Sequence, residues 1–228
     1  MSPVILLLLA IAPGFAIAAY FYFRDRSEPE PSGLLLISVL FGVISFFITR
    51  GLGFLLHEYV YVVDESPVQQ IINAFLFIGL LGEGAKFLFL RGFTYYYKAF
   101  NQPFDGIVYA VMVAMGYATA ENILYVTTAN HGIDVLRLFT IVPANAVFAV
   151  IMGYFLGEAK LFPSKTILYS LAALLLAAIA HGYYDYFLDA VNIRGLWMQA
   201  ITSLALVVFL SQIAIRKRRA ENLKKMDS

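Results

Sequence analysis

Cysteine is absent from the 228 residues, and charge is scarce, at 14% Asp, Glu, Lys and Arg. Without cysteine there is no disulfide framework, no thiol nucleophile and no thiolate metal site. A soluble domain carries about 25% charged and about 45–50% apolar residues. Here 61% are hydrophobic, 16% are aromatic, and the mean hydropathy is +0.78. That composition excludes a soluble globular enzyme, a disordered tail and a coiled coil. No Ser–His–Asp arrangement with credible geometry emerges, and no linker is long enough to separate domains. What remains is a polytopic membrane protein.

A helical span needs roughly 20 mostly apolar residues. About seven segments qualify, at 3–23, 33–52, 70–90, 105–127, 138–157, 166–189 and 197–215. Their apolar runs lack period-two alternation, so they read as helices, not barrel strands. The expected fold is an all-α transmembrane bundle over 1–215, followed by a basic tail at 216–228. No Lys or Arg precedes the first apolar run, so it reads as a retained helix and not as a signal peptide. Lys and Arg are unevenly shared between the two sides. Arg24, Arg26, Arg91, Lys98, Lys160 and Lys165 fall in the odd loops, and six more lie in the tail. The even loops hold only Arg50, Arg137 and Arg194. The positive-inside rule then puts the C-terminus in the cytoplasm and the N-terminus outside. Tyr95, Tyr96 and Tyr97 fall in a cytoplasmic loop and are expected to anchor at the headgroups.

Ionisable groups inside a span cost roughly 2.5–3.5 kcal/mol each at its centre, so they usually face the bundle interior and act there. The third span holds Glu83 and Lys86, the fourth Glu121, the fifth Asn145, and the sixth His181 and Asp185. Glu83 and Lys86 are i, i+3 and share a helix face; His181 and Asp185, like Tyr117 and Glu121, are i, i+4. Counting 1.5 Å per residue puts Glu121, Asn145 and His181 roughly 10–13 Å below the outer surface. Glu83 comes out deeper, roughly 18–20 Å down and near the midplane. Four helices are therefore expected to feed one polar site in the outer half of the bilayer. Two carboxylates and an imidazole suit activation of a water for hydrolysis, or a metal site. Chains of Asp, Glu and His also mark proton relays in transporters, though no inverted repeat is evident here.

These residues resemble the PrsW family of bacterial intramembrane proteases, which is related in pattern to the CAAX-prenyl-protease-like (Abi) membrane proteins. Gly82-Glu83-Gly84-Ala85-Lys86 is similar to that family's Glu-Glu-x-x-Lys block. Tyr117 to Glu121 is similar to its aromatic-x-x-x-Glu block, and His181 to Asp185 to its His-x-x-x-Asp block. Ala12-Pro13-Gly14, Phe104 to Ala110, Val142 to Ala146 and Ile151 to Gly157 extend the likeness over nearly the whole chain. The ordered set on successive helices is what makes it specific. Two positions depart from the pattern. Gly82 stands where the family has a first glutamate, and Asn145 where it has a histidine.

The resemblance implies an intramembrane peptidase in the bacterial plasma membrane. Its substrate would be a single-span protein such as an anti-sigma factor, cut near the extracytoplasmic face. The expected partners are that substrate and the bilayer, not nucleic acid. The catalytic set would be Glu83, Lys86, Glu121, Asn145, His181 and Asp185. Glu121 or Glu83 would take a proton from water, His181 would polarise it, and Asp185 would orient His181. Asn145 would donate to the oxyanion, and Lys86 would keep Glu83 charged. A divalent metal such as zinc, if bound, would sit on Glu83, Glu121 and His181. The alternative is a catalytically impaired relative that binds client transmembrane helices, favoured by Gly82 and Asn145.

Overall fold

The computed structural model describes residues 2–24, 29–59, 66–129 and 133–190, and single positions between Met198 and Arg216. No strand occurs among the described residues. Helix α1 spans Pro3–Arg24 and α2 spans Ser32–Tyr59. The third crossing is composite. A short α3 (Pro67–Ile72) runs into a π-helix (Asn73–Leu80) and then α4 (Leu81–Gly92). Beyond it come α5 (Pro103–Thr128), α6 (Val135–Leu161) and α7 (Thr166–Ala190). Six helical stretches are long and apolar enough to cross a membrane. The chain is thus an all-α, multi-pass membrane protein. The seventh expected span, 197–215, and the tail after it lie for the most part outside the described residues.

The helices begin where local chemistry satisfies their first N–H groups. Asp134 caps α6 by accepting from Leu136 N and Arg137 N. Gln102 and Asp105 form a capping box at α5, with Pro103 at its first position. The bundle is built around α5 and α6. Of their central windows 72% and 67% is buried, against 22–33% for the other crossings, whose large apolar side chains face outward. This is the inverse of an amphipathic soluble helix, because lipid accepts the exposed Leu, Ile and Phe.

Glycine lets the backbones meet. A β-carbon on Gly106 would overlap the Gly153 carbonyl oxygen, and one on Gly153 would overlap that of Gly106. Gly42 and Gly116 make the same close approach between α2 and α5. One such contact positions the polar site. Gly79, at the end of the π-helix, lies against Ala178 and Gly182 of α7, and Gly182 lies against Phe75. Small residues of this kind let membrane helices pack without a hydrophobic driving force.

The π-helix corrects one depth expected from the sequence. Uniform α-helical rise places Glu83 well below His181, yet the two side chains meet, with His181 Nδ1 2.8 Å from Glu83 Oε1. A π-helix fits more residues into each turn and advances less per residue, which brings Glu83 nearer the level of His181 than uniform α-helical rise does. Helix α1 packs on the bundle: its Ala10, Gly14 and Phe21 are buried, and Asn122 of α5 donates to Ala10 O at 3.4 Å.

Gly79 and Gly84 give a matched test. A β-carbon on Gly79 comes 2.5 Å from the Ala178 carbonyl oxygen, whereas one on Gly84 meets nothing within 4 Å. Gly79→Ala should therefore lose about 1–3 kcal/mol through overpacking, read as a lowered melting temperature in detergent. Gly84→Ala should not be destabilised.

Candidate active site

Glu83 is the third residue of α4, and Lys86 comes one turn later on the same face. Both are buried, at 1% and 2% exposure. The Lys86 ammonium donates to Glu83 Oε1 at 2.6 Å and to Asn145 Oδ1 on α6 at 2.7 Å. It also sits 4.3 Å from the ring centre of Tyr117 on α5. His181 of α7 brings Nδ1 to 2.8 Å from the same Glu83 Oε1. Its Nε2 lies 3.0 Å from Asp185 Oδ2, one turn further on. Phe148 stacks on the imidazole at 4.6 Å between centroids and 18° between planes.

One carboxylate oxygen thus receives two partners from two directions, while Glu83 Oε2 has no hydrogen-bond partner among the described residues. Both imidazole nitrogens face carboxylate oxygens. The Nε2–Oδ2 approach is a close contact only, since Asp185 Oδ2 has no hydrogen-bond partner among the described residues.

The remaining candidates fall into place unevenly. The structure gathers Glu83, Lys86, Asn145, His181 and Asp185 into one contiguous network. Glu121 stands beside it and not in it. Its Oε1 is 3.5 Å from Arg137 Nη2, and both side chains are part-exposed. It remains within electrostatic reach of His181, Asp185 and Lys86. Asn145, expected as an oxyanion donor, is a partner of Lys86 in this network. Its carbonyl accepts from Lys86, and its amide nitrogen donates to Ile141 O at 3.0 Å in its own helix.

Two contributors escaped sequence reasoning, Arg137 and Phe148, and a third, Tyr117, has a partner that the sequence did not indicate. Arg137 was counted as a loop charge, but it opens α6 and also lies 4.2 Å from the Tyr125 ring centre. Tyr117 shared a face with Glu121 on paper, yet its ring serves Lys86, braced edge-on by Phe46. Phe148 carries no polar signal at all. Gly82 borders the network directly: a β-carbon there would lie 3.3 Å from the Tyr117 hydroxyl and 3.6 Å from His181 Cε1. A glutamate at this position would enter the site.

Against this geometry the comparisons are decisive. Residues 30–213 match the model of the PrsW family of intramembrane metalloproteases. The chain belongs to the PrsW family. By family it is an intramembrane peptidase. It is 36% identical over 188 residues to Protease PrsW of Geobacillus kaustophilus, covering 82% of this chain and 81% of the relative. It is 32% identical over 212 residues to Protease PrsW of Bacillus subtilis, covering 92% of each. Protease PrsW of Clostridioides difficile is 31% identical over 189 residues, covering 80% of this chain and 79% of the relative. No solved structure matches the chain.

The family's description is compatible with a divalent metal, and the donor set can be held against one. Among the described residues no group of three or more His, Asp and Glu side chains is placed to hold an ion. The Lys86 ammonium already occupies the cation position beside Glu83, His181 turns each nitrogen to a carboxylate, and Glu121 pairs with Arg137. In this packing the residues do not fit a metal.

Breaking a buried ion pair from one side costs about 3–5 kcal/mol, because a charge is left uncompensated. Lys86→Met should therefore destabilise by an amount in that range. Adding Glu83→Gln should recover a large part of the loss. Thermal unfolding of the two single variants and the double would display that coupling as a double-mutant cycle.

Proposed function

We propose that the chain hydrolyses a peptide bond of a single-span membrane protein, such as an anti-sigma factor, near the outer face of the bacterial plasma membrane. The observation that carries the mechanism is the asymmetry of the Glu83 carboxylate. Oε1 is held by Lys86 and His181, and Oε2 is buried with no partner among the described residues. That second oxygen is the site for a water. As the water oxygen attacks the scissile carbonyl carbon, its proton passes to Glu83 Oε2, and the carbonyl π electrons move onto oxygen. Collapse of the tetrahedral intermediate breaks the C–N bond, and Glu83 returns the proton to the leaving amine.

The other residues set up this step. Lys86 keeps Glu83 ionised between turnovers and fixes its rotamer through Oε1. Asn145 and the Tyr117 ring hold Lys86 in place. His181, at hydrogen-bonding distance from Glu83 Oε1, stands beside the reacting carboxylate, where its dipole offsets charge that develops on the oxyanion. Asp185 and the Phe148 ring orient it. Glu121 and Arg137 form a part-exposed charge pair beside the network. We assign them to holding the unwound backbone of the substrate, whose freed N–H and C=O groups need partners away from water. Glu83 is thereby preferred over Glu121 as the base.

A second reading is a client-binding relative without chemistry. Gly82 favours it, because the family's first glutamate would stand beside Tyr117 and His181 and is missing. Activity gained by Gly82→Glu with Asn145→His, and absent from the wild type, is what this reading requires.

Two measurements test the proteolytic reading. Purified wild-type protein, mixed with a panel of single-span substrates, should cut near the outer membrane face. Glu83→Gln should lower the rate by at least about 10³-fold with folding intact, and Glu121→Gln should lose less. The reverse order would overturn the assignment of the base. Cleavage should also survive a strong divalent-metal chelator. Inhibition that added zinc reverses would show that the resting arrangement of Lys86 and His181 gives way to a metal.

A further inference from the structure

At the end of the bundle away from the polar network, α4 and α7 part to leave a groove of about 510 Å³. Its walls are apolar and include Leu88, Ile167, Leu171 and Leu174. Leu88, Ile167 and Leu171 are 65%, 78% and 53% exposed, so the groove is open along its outer side. One end is polar, formed by Arg91, Tyr96 and Ser170.

Arg91 is held there rigidly and by neutral partners only. Its Nε donates to Ser170 Oγ at 3.2 Å and its Nη1 to Tyr96 OH at 3.0 Å. Its guanidinium lies 4.1 Å from the ring centre of Tyr95. Lys160 comes to the same ring at 4.9 Å and donates to the Tyr95 carbonyl. Tyr95 departs from the headgroup-anchor role expected of it. It is buried and donates to Ala159 O at 3.0 Å, whereas Tyr96 faces out. Two cations are thus gathered on one ring, within electrostatic reach of each other. Neither forms an ion pair with a carboxylate among the described residues. Two like charges that share one ring give this end of the groove a positive field, which an anion would offset. A guanidinium has five N–H donors, of which two are engaged here, and its fork matches a phosphate.

We infer that the α4–α7 groove binds one anionic phospholipid of the cytoplasmic leaflet, its phosphate on Arg91 at the polar end of the groove, with Lys160 adding positive charge from beyond the groove wall, and an acyl chain along Leu88, Leu171 and Leu174. The charge complementarity selects an anionic headgroup, and the apolar trough leading away from it selects a chain. Loop charges put this end on the cytoplasmic side, where anionic lipid gathers basic residues. The inference is independent of the proteolytic reading, because lipid binding is read without any cleavage.

The test uses the full chain purified in neutral detergent and titrated with phosphatidylglycerol or phosphatidylcholine. Native mass spectrometry counts the retained lipid, and thermal unfolding reads its effect. One phosphatidylglycerol should be retained in preference to phosphatidylcholine and should raise the melting temperature. Each surface cation contributes about 1 kcal/mol toward anionic lipid, so Arg91→Gln and Lys160→Gln should each cost roughly fivefold in that preference. Leu171→Trp fills the trough without touching a charge, and it should lose the bound lipid while keeping its helical circular dichroism. If Arg91→Gln fails to fold, Lys160→Gln and Leu171→Trp still decide. Equal retention of the two lipids by the wild type overturns the inference. So does wild-type preference in both Lys160→Gln and Leu171→Trp. A melting shift produced equally by inorganic phosphate alone would assign the cations to a soluble anion and overturn it as well.

Discussion

Burying the Glu83 carboxylate is the constraint that the interior of this bundle answers. A charged group taken out of water carries a penalty of several kcal/mol even after relaxation, and it persists only with partners in good geometry. Those partners come from different helices. Lys86 is on α4 with it, Asn145 on α6 holds Lys86, Tyr117 on α5 backs the ammonium, and His181 on α7 reaches the same oxygen. Four helices must therefore keep register with one another to within hydrogen-bonding tolerance. Register of that quality comes from backbone contact, which the glycines supply, and the Gly79–Gly182 approach lies about one turn or less from both Glu83 and His181.

The composite third crossing gives the network its position. Changing from α to π and back within one crossing alters both the rotation and the rise of the residues beyond the change. π segments inside α-helices recur at functional sites for that reason. Here the change delivers Glu83 and Lys86 to the level of His181 and Asn145. The same two helices, α4 and α7, carry the lipid groove at their other end. Ser170 and His181 are eleven residues apart on α7, so roughly 16 Å of helix separates headgroup end from imidazole.

Much of the site was legible because its closest pairs are local. Glu83 with Lys86, and His181 with Asp185, come from helical spacing alone, and any helix through those residues makes them neighbours. Legibility fell where geometry passes between helices. The level of Glu83 relative to His181 was not legible, because a π segment has no clear mark in composition. Arg137 read as a topogenic loop charge, since nothing in the chain says that the turn before α6 folds it back to Glu121. Phe148 was one apolar residue among many until its ring proved to lie on His181. Asn145 was recognised as a polar intruder, but its partner depended on how α6 rotates against α4.

By itself the sequence determined that this is a helical, multi-pass membrane protein with Glu, Lys, His and Asp placed inside its spans. Hydropathy and the 3.6-residue period act locally, and lipid leaves no other backbone solution for such apolar runs. Tertiary structure alone decided which carboxylate oxygen is shared and which has no partner among the described residues. It decided that Lys86 and His181 share Glu83 Oε1, and that Glu121 pairs with Arg137 to one side. Those facts depend on interhelical rotation and translation over distances of an ångström or two. Such distances are fixed by packing between residues far apart in the chain, which no local pattern encodes.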